Sequence, residues 1–260
     1  MSDEVKKPAV PPWVGKYFRQ AYDSHERLVR VVYVSRRGIA SVTALPRITR
    51  ALATVEGRVE DADKLQAVEE QAALAQSEVD DDFPVLHALA VVGVWSWLEH
   101  LVKGLLIERL THDRTALQLP AFQKIRVRLS DYISLTRREQ AAYLVELLEQ
   151  ETASPLKRGA NRFETLLEPF GLSGAVEDDI SKTLFELQQI RNAIAHQNGR
   201  CDRRLKSSCP WLKLKIGQPI NVSSKQLNKY ANATANYALD VLYRIGDTHG
   251  VDLRGTESDT

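Results

Sequence analysis

The chain has 260 residues, 43% of them hydrophobic and 27% charged, with 35 Lys and Arg against 34 Asp and Glu. That balance excludes wholesale disorder and a globally basic nucleic-acid binder, and the length fits one large domain or a domain with an appended segment. Two cysteines exclude a disulfide scaffold, and the polar, proline-bearing residues 1–13 do not read as a signal peptide.

Taken in order, the pattern predicts helices almost throughout. Residues 13 to about 35 read as one helix. Pro46 opens a second, rich in Ala, Glu and Gln, that runs to about 77 with a weak point at Gly57. Asp80, Asp81 and Asp82 precede Pro84 and are expected to cap a strongly apolar helix ending near Leu110. His87, Glu99, His100 and Lys103 interrupt its apolar run, so the expectation is a core helix and no membrane span. Thr136 and Glu139 form a capping box for a helix to about 151. Asn161 is expected to cap a short helix ending near Gly171. Asp178 and Asp179 fall in the first turn of a helix that ends at Gly199, and Ser223 or Ser224 caps the last long helix, which stops at Gly246. Ile125, Val127 and Leu129 alternate with Arg126, Arg128 and Ser130 at strand period, and residues 217–222 carry Pro219 and β-branched side chains. Each of these two stretches fits a very short strand or an extended connector. The fold class is all-α, with an acidic N-terminal helical segment over 1–82, a helical domain over 83–246 and a flexible tail over 247–260.

Charge is uneven within this neutral chain. Residues 56–82 hold ten acids against Arg58 and Lys64, a local net of −8, which reads as a solvated helix face. Residues 200–215 hold Arg200, Arg203, Arg204, Lys206, Lys213 and Lys215 against Asp202, a local net of +5. Trp211 lies among these bases, and an aromatic face beside cations suits stacking of unpaired bases. Gly-rich phosphate loops, nucleophile elbows and H-E-x-x-H are missing from the sequence. Cys201, Cys209 and His196 have the wrong spacing for a zinc ribbon, so no metal and no cofactor is expected.

The informative stretch is Ile190-Arg191-Asn192-Ala193-Ile194-Ala195-His196-Gln197-Asn198-Gly199. On a helix, Ile180, Leu184, Leu187, Ile190 and Ile194 form one apolar stripe, and Arg191 falls within it. A guanidinium there must be paired or line a cleft. Asn192 and His196, four apart, share another face. An Arg, an Asn and a His at a helix end, followed by a basic segment, can bind and act on a phosphate. Glu99, the single acid within Trp95-Ser96-Trp97-Leu98-Glu99-His100-Leu101, either pairs with Lys103 at i+4 or orients Arg191. Trp95 and Trp97 read as core.

Arg191-Asn192-x-x-x-His196 resembles the R-x(4–6)-H motif of HEPN domains, in which a polar residue, often Asn, follows the Arg. The upstream apolar helix with its one acid, the motif helix, a loop and a final helix resemble the family over about 83–246. The resemblance implies a HEPN-like helical bundle that forms a homodimer and brings two motifs together. It implies a metal-independent endoribonuclease of a toxin–antitoxin or phage-defence system, with RNA as partner and an antitoxin or activator protein as a second partner; the interrupted apolar run and polar start already lead to the expectation of no membrane and a cytoplasmic location. Arg191, Asn192, His196 and Glu99 are then the catalytic set, and Arg200, Arg203, Arg204, Lys206, Trp211 and Lys213 the RNA-binding set. The rival expectation is a catalytically inactive HEPN-like interaction or regulatory module.

Overall fold

Helix punctuation in the computed structural model, which describes residues 9–57, 61–152 and 158–255, follows the local chemistry closely. The helices among these residues are α1 (Pro12–Val42), α2 (Leu45–Glu56), α3 (Ala62–Asp80), α4 (Pro84–His112), α5 (Pro120–Gln123), α6 (Leu129–Ile133), α7 (Arg137–Thr152), α8 (Ala160–Leu167), α9 (Asp178–His196), α10 (Arg203–Ser208) and α11 (Ser224–Thr248). The one β feature among them is an isolated antiparallel bridge between Arg200 and Pro219, so the fold is all-α. Arg58 and Glu60 of the acidic run, and residues 256–260 of the expected tail, lie outside the described residues.

Several boundaries fall where expected. Glu139 accepts from the backbone N–H of Thr136 at 2.7 Å while its own N–H donates to Thr136 Oγ1 at 3.4 Å, a reciprocal box at the start of α7. Ser223 and Gln226 form the same arrangement ahead of α11. Other expectations need correction. The second predicted helix is two, because Gly57 takes a left-handed φ of 64° and ends α2, and Asp61 then caps α3 by accepting from Lys64 N. α8 starts behind Gly159, not at Asn161. Gly159 has a φ of 59°, and a Cβ there would meet Phe185 Cα at 2.9 Å, so the tight entry requires glycine. The alternating residues 125–129 take the second of their two readings, a connector over 125–128. They lead into α6 with their apolar members partly or largely exposed, because no neighbouring strand supplies a ladder. Asp82 does not serve its own helix. Its carboxylate accepts from Ser224 N and Ser224 Oγ, both at 2.6 Å, and so caps α11. Those bonds, with the nearby His87 and Arg36, outweigh the effect of burial and hold the Asp82 carboxyl below the ordinary range.

Two compact units interleave in sequence: Met1–His25, Val94–Gln188 and Tyr230–Thr260 make the first, and Glu26–Gly93 and Gln189–Lys229 the second. In the first unit Trp95, Leu98, Leu101, Leu105 and Leu106 of α4 are fully buried, with Phe163 of α8, Leu184 and Leu187 of α9 and Tyr237 and Val241 of α11. Trp95 packs on Phe163, and Phe163 on Tyr237, at centroid separations of 5.3 and 5.9 Å. α4 is long and apolar enough by composition to cross a membrane, but many of its large apolar side chains are used by the protein's own core.

The core of the second unit is built largely from smaller side chains, among them Ala72, Ala75, Ala90, Val91, Ala193 and Val222. His87 is fully buried there, its Nδ1 2.8 Å from Val222 O. This unit also leaves large apolar side chains in the open. α2 buries nothing, and Ile48, Leu52 and Val55 along it are exposed, as are Val31 and Val34 of α1.

A pH effect on folding follows from His25 in the first unit. It is buried, lies 4.3 Å from the Trp97 ring and sits 3.3 Å from Thr234 Oγ1. Thr234 donates to Ala231 O, so its oxygen suits an imidazole N–H. Burial pushes the His25 pKa below its ordinary value. The unfolded chain therefore binds this proton more readily, and the stability present above the unfolded pKa of about 6.5 falls as pH drops toward the folded value, by at most about 1.4 kcal/mol per pH unit. Thermal unfolding from pH 7.5 to 5.5 should show this slope, and His25→Phe should flatten it. An equally steep profile for the variant would place the titrating group elsewhere.

Candidate functional site

The motif occupies the C-terminal end of α9, all within the second unit. α9 ends as it does because Asn198 and Gly199 both take left-handed φ, 51° and 67°, and Gly199 N closes back on Ala193 O at 3.2 Å. The chain leaving it is pinned. Cys201 N donates to Gln218 O at 2.9 Å, Gly217 N to Cys201 O at 2.8 Å and Ile220 N to Gly199 O at 2.8 Å. These bonds close 202–216 into a folded insert. Cys201, Leu205 and Cys209 are its buried anchors, and Asp202 caps α10 by accepting from Leu205 N at 2.7 Å.

The basic side chains of the insert stay outside. Arg203, Arg204 and Lys206 are exposed on α10, and Trp211 is 40% exposed on the turn after it. Lys213 is exposed at a left-handed φ of 54°. Arg200 is exposed but committed, its Nη1 donating to Gly217 O at 2.9 Å. Burial raises the Cys201 thiol pKa, which makes it a poor nucleophile or ligand. Among the described residues no three His, Cys, Asp or Glu side chains gather as a metal cluster would require.

Asn192 and His196 meet in a cavity of about 220 Å3, shared with Gln189, Gln197, Asp202 and Arg204. His196 is exposed and Asn192 half-buried. Arg191, half-buried, does not line this cavity. Its Nη1 donates to Asn192 Oδ1 at 3.2 Å, and its Nε is buried with no hydrogen-bond partner. A buried donor without an acceptor costs about 1–3 kcal/mol. The site thus offers one imidazole, the amides of Gln189, Asn192 and Gln197, the Asp202 carboxylate and the exposed Arg204 guanidinium around a polar hollow, with the Arg191 guanidinium held against the Asn192 amide.

Glu99 has its own partners. It belongs to the first unit, where Arg162 Nη1 donates to its Oε1 at 2.6 Å and Arg162 Nη2 to Glu149 Oε1 at 2.7 Å. Lys103 goes to Glu149 at 2.6 Å, not to Glu99. The i+4 pairing is lost because Arg162, arriving from α8, and Glu149, from α7, offer a bridged four-charge cluster in which every charge is matched. The Glu149 carboxyl feels burial first, and the two cations outweigh it and hold its pKa below the ordinary value.

Gln189, Gln197 and Asp202 were not singled out by the motif, although Gln189, Asn192 and His196 recur at i, i+3 and i+7 and so share a face. No family model, no curated protein and no solved structure matches the chain.

Proposed function

We propose that the chain is a HEPN-type, metal-independent endoribonuclease acting as a cytoplasmic homodimer in a toxin–antitoxin or phage-defence setting, with an antitoxin or activator as a further partner. The observation that carries this reading is the cavity in which His196 and Asn192, one helical turn apart, meet Arg204. RNA brings its own nucleophile. A base accepts the 2′-OH proton, the 2′-oxygen attacks the adjacent phosphorus, and the 5′-oxygen leaves with a proton from an acid. The products are a 2′,3′-cyclic phosphate and a 5′-OH. His196 suits the proton transfers, Asn192 holds the imidazole or a phosphate oxygen, and guanidinium forks suit the charge that develops on phosphorus. Arg203, Lys206, Lys213 and Trp211 extend a basic, stacking surface beside it.

One chain supplies one such histidine, and a second copy would supply another. The exposed Ile48, Leu52, Val55, Val31 and Val34 support self-association, since apolar surface of this kind marks interaction sites. Glu99 is left out of the catalytic set, because the Arg162 cluster accounts for it. A silent interaction module is favoured by one observation, the absence of Arg191 from the lining of the cavity. Incubation of the purified chain with total RNA in excess EDTA separates the two readings. Cleavage is expected to persist, and activity that needs magnesium would contradict the proposed chemistry.

A further inference from the structure

A cavity of about 410 Å3 lies in the first unit, and none of its residues belongs to the proposed nuclease site. Trp13, Lys16 and Tyr17 of α1, Trp97 and His112 of α4 and Arg138 of α7 line it. The volume suits a small organic ligand. Its character is a floor of rings with cations at the edge. Trp13 and His112 lie parallel, 6° apart with centroids at 5.6 Å, and Trp97 is fixed by its indole N–H donating to Ala21 O at 2.7 Å. Tyr17 is locked across α4, its hydroxyl donating to Leu101 O at 2.9 Å. It fits there because residue 104 is glycine, since a Cβ would fall too close to the Tyr17 hydroxyl.

The polar groups divide by commitment. Glu108 is the one carboxylate of the lining. It receives Arg138 Nε at 3.0 Å and lies 3.4 Å from His112 Nε2. That leaves Lys16 Nζ without an ion-pair partner among the described residues, whereas Arg138 meets Glu108 through its Nε. Preset rings with an unpaired ammonium and a guanidinium bound through its Nε at their margin match a planar base carrying a phosphate.

We infer that this cavity binds the base and phosphate of a nucleoside monophosphate unit, either a free nucleotide or one residue of a single strand. The base lies on the Trp13 and Tyr17 side, and the phosphate takes Lys16 and Arg138. The inference is independent of the nuclease reading, because binding is measured without cleavage.

The test is isothermal titration of the full chain with AMP, adenosine and a short 5′-phosphorylated oligodeoxyadenylate, which 2′-OH attack cannot cut. AMP should bind saturably and adenosine about tenfold more weakly, the difference being the charge-assisted phosphate contacts. Lys16→Gln, at an exposed position, should weaken AMP about threefold, half of the phosphate contribution, and leave adenosine unchanged. Trp13→Leu should weaken both. Glu108→Gln should tighten AMP, because it removes negative charge from the floor, an outcome a merely structural role would not produce. Tighter binding of the oligonucleotide than of AMP identifies a strand as the source, and equal binding the free nucleotide. Absence of saturable AMP binding, or AMP binding indifferent to Lys16→Gln and Trp13→Leu, overturns the inference.

Discussion

His196→Ala is expected to lower RNA cleavage by at least about 100-fold, the ordinary contribution of a positioned acid or base, while the thermal midpoint stays close to that of the parent. The separation of the two effects comes from position. His196 is exposed at the last residue of α9 and contributes little packing, whereas the cavity beside it has no second imidazole. Arg191→Ala should also lose activity, and Arg191→Lys should restore little, because an ammonium cannot reproduce a planar fork. Cleavage rate and thermal unfolding measured on the same preparations decide the matter. A His196→Ala variant as fast as the parent removes His196 from the chemistry.

The largest expected effect on stability belongs to Glu164 in the first unit. Both its oxygens receive Arg244 Nη1, at 2.8 and 2.9 Å, and they also accept from Tyr237 Oη at 2.7 Å and Gly174 N at 2.7 Å. Both charged side chains are more than four-fifths buried. Removing one partner of such a pair strands the other, so Glu164→Ala should destabilise the chain by about 3–5 kcal/mol in urea unfolding. The double variant Glu164→Leu with Arg244→Met should recover part of that loss, since no uncompensated charge remains. Burial, with the Glu164 carboxylate beside it, keeps the Tyr237 hydroxyl pKa far above its ordinary value, so that phenol remains a donor throughout. A loss below about 1 kcal/mol for Glu164→Ala would mean the pair behaves as a surface ion pair.

Most helices could be read from short-range chemistry, and the misreadings share one cause. The capping box at Thr136 and Glu139 and the acidic first turn at Asp178 and Asp179 involve residues within one helical turn, so the sequence alone reveals them. Asp82 looked like a local cap and instead serves Ser224, 142 residues away. Glu99 looked like a neighbour of Lys103, but Arg162 and Glu149 from other helices offered a better-matched cluster. Local spacing cannot choose between a pairing along one helix and one across helices when the energies differ by a kcal/mol or so. The site divides in the same way. Arg191, Asn192 and His196 stand out by spacing, whereas the shared hollow with Asp202 and Arg204 exists because bonds between 199–201 and 217–220 fold the insert back onto α9. The basic run was visible as charge, but Cys201, Leu205 and Cys209 show that it is an anchored insert and not a loose loop.

The central claim is tested most directly by the ends of the products. RNA incubated with the full chain in excess EDTA should yield fragments that carry a 2′,3′-cyclic phosphate on one side of the cut and a 5′-OH on the other, and a substrate with a 2′-deoxy residue at the cleavage position should resist. Fragments with 3′-OH and 5′-phosphate ends, or equal cutting of the deoxy-substituted substrate, would contradict attack by the 2′-OH and with it the role given to His196.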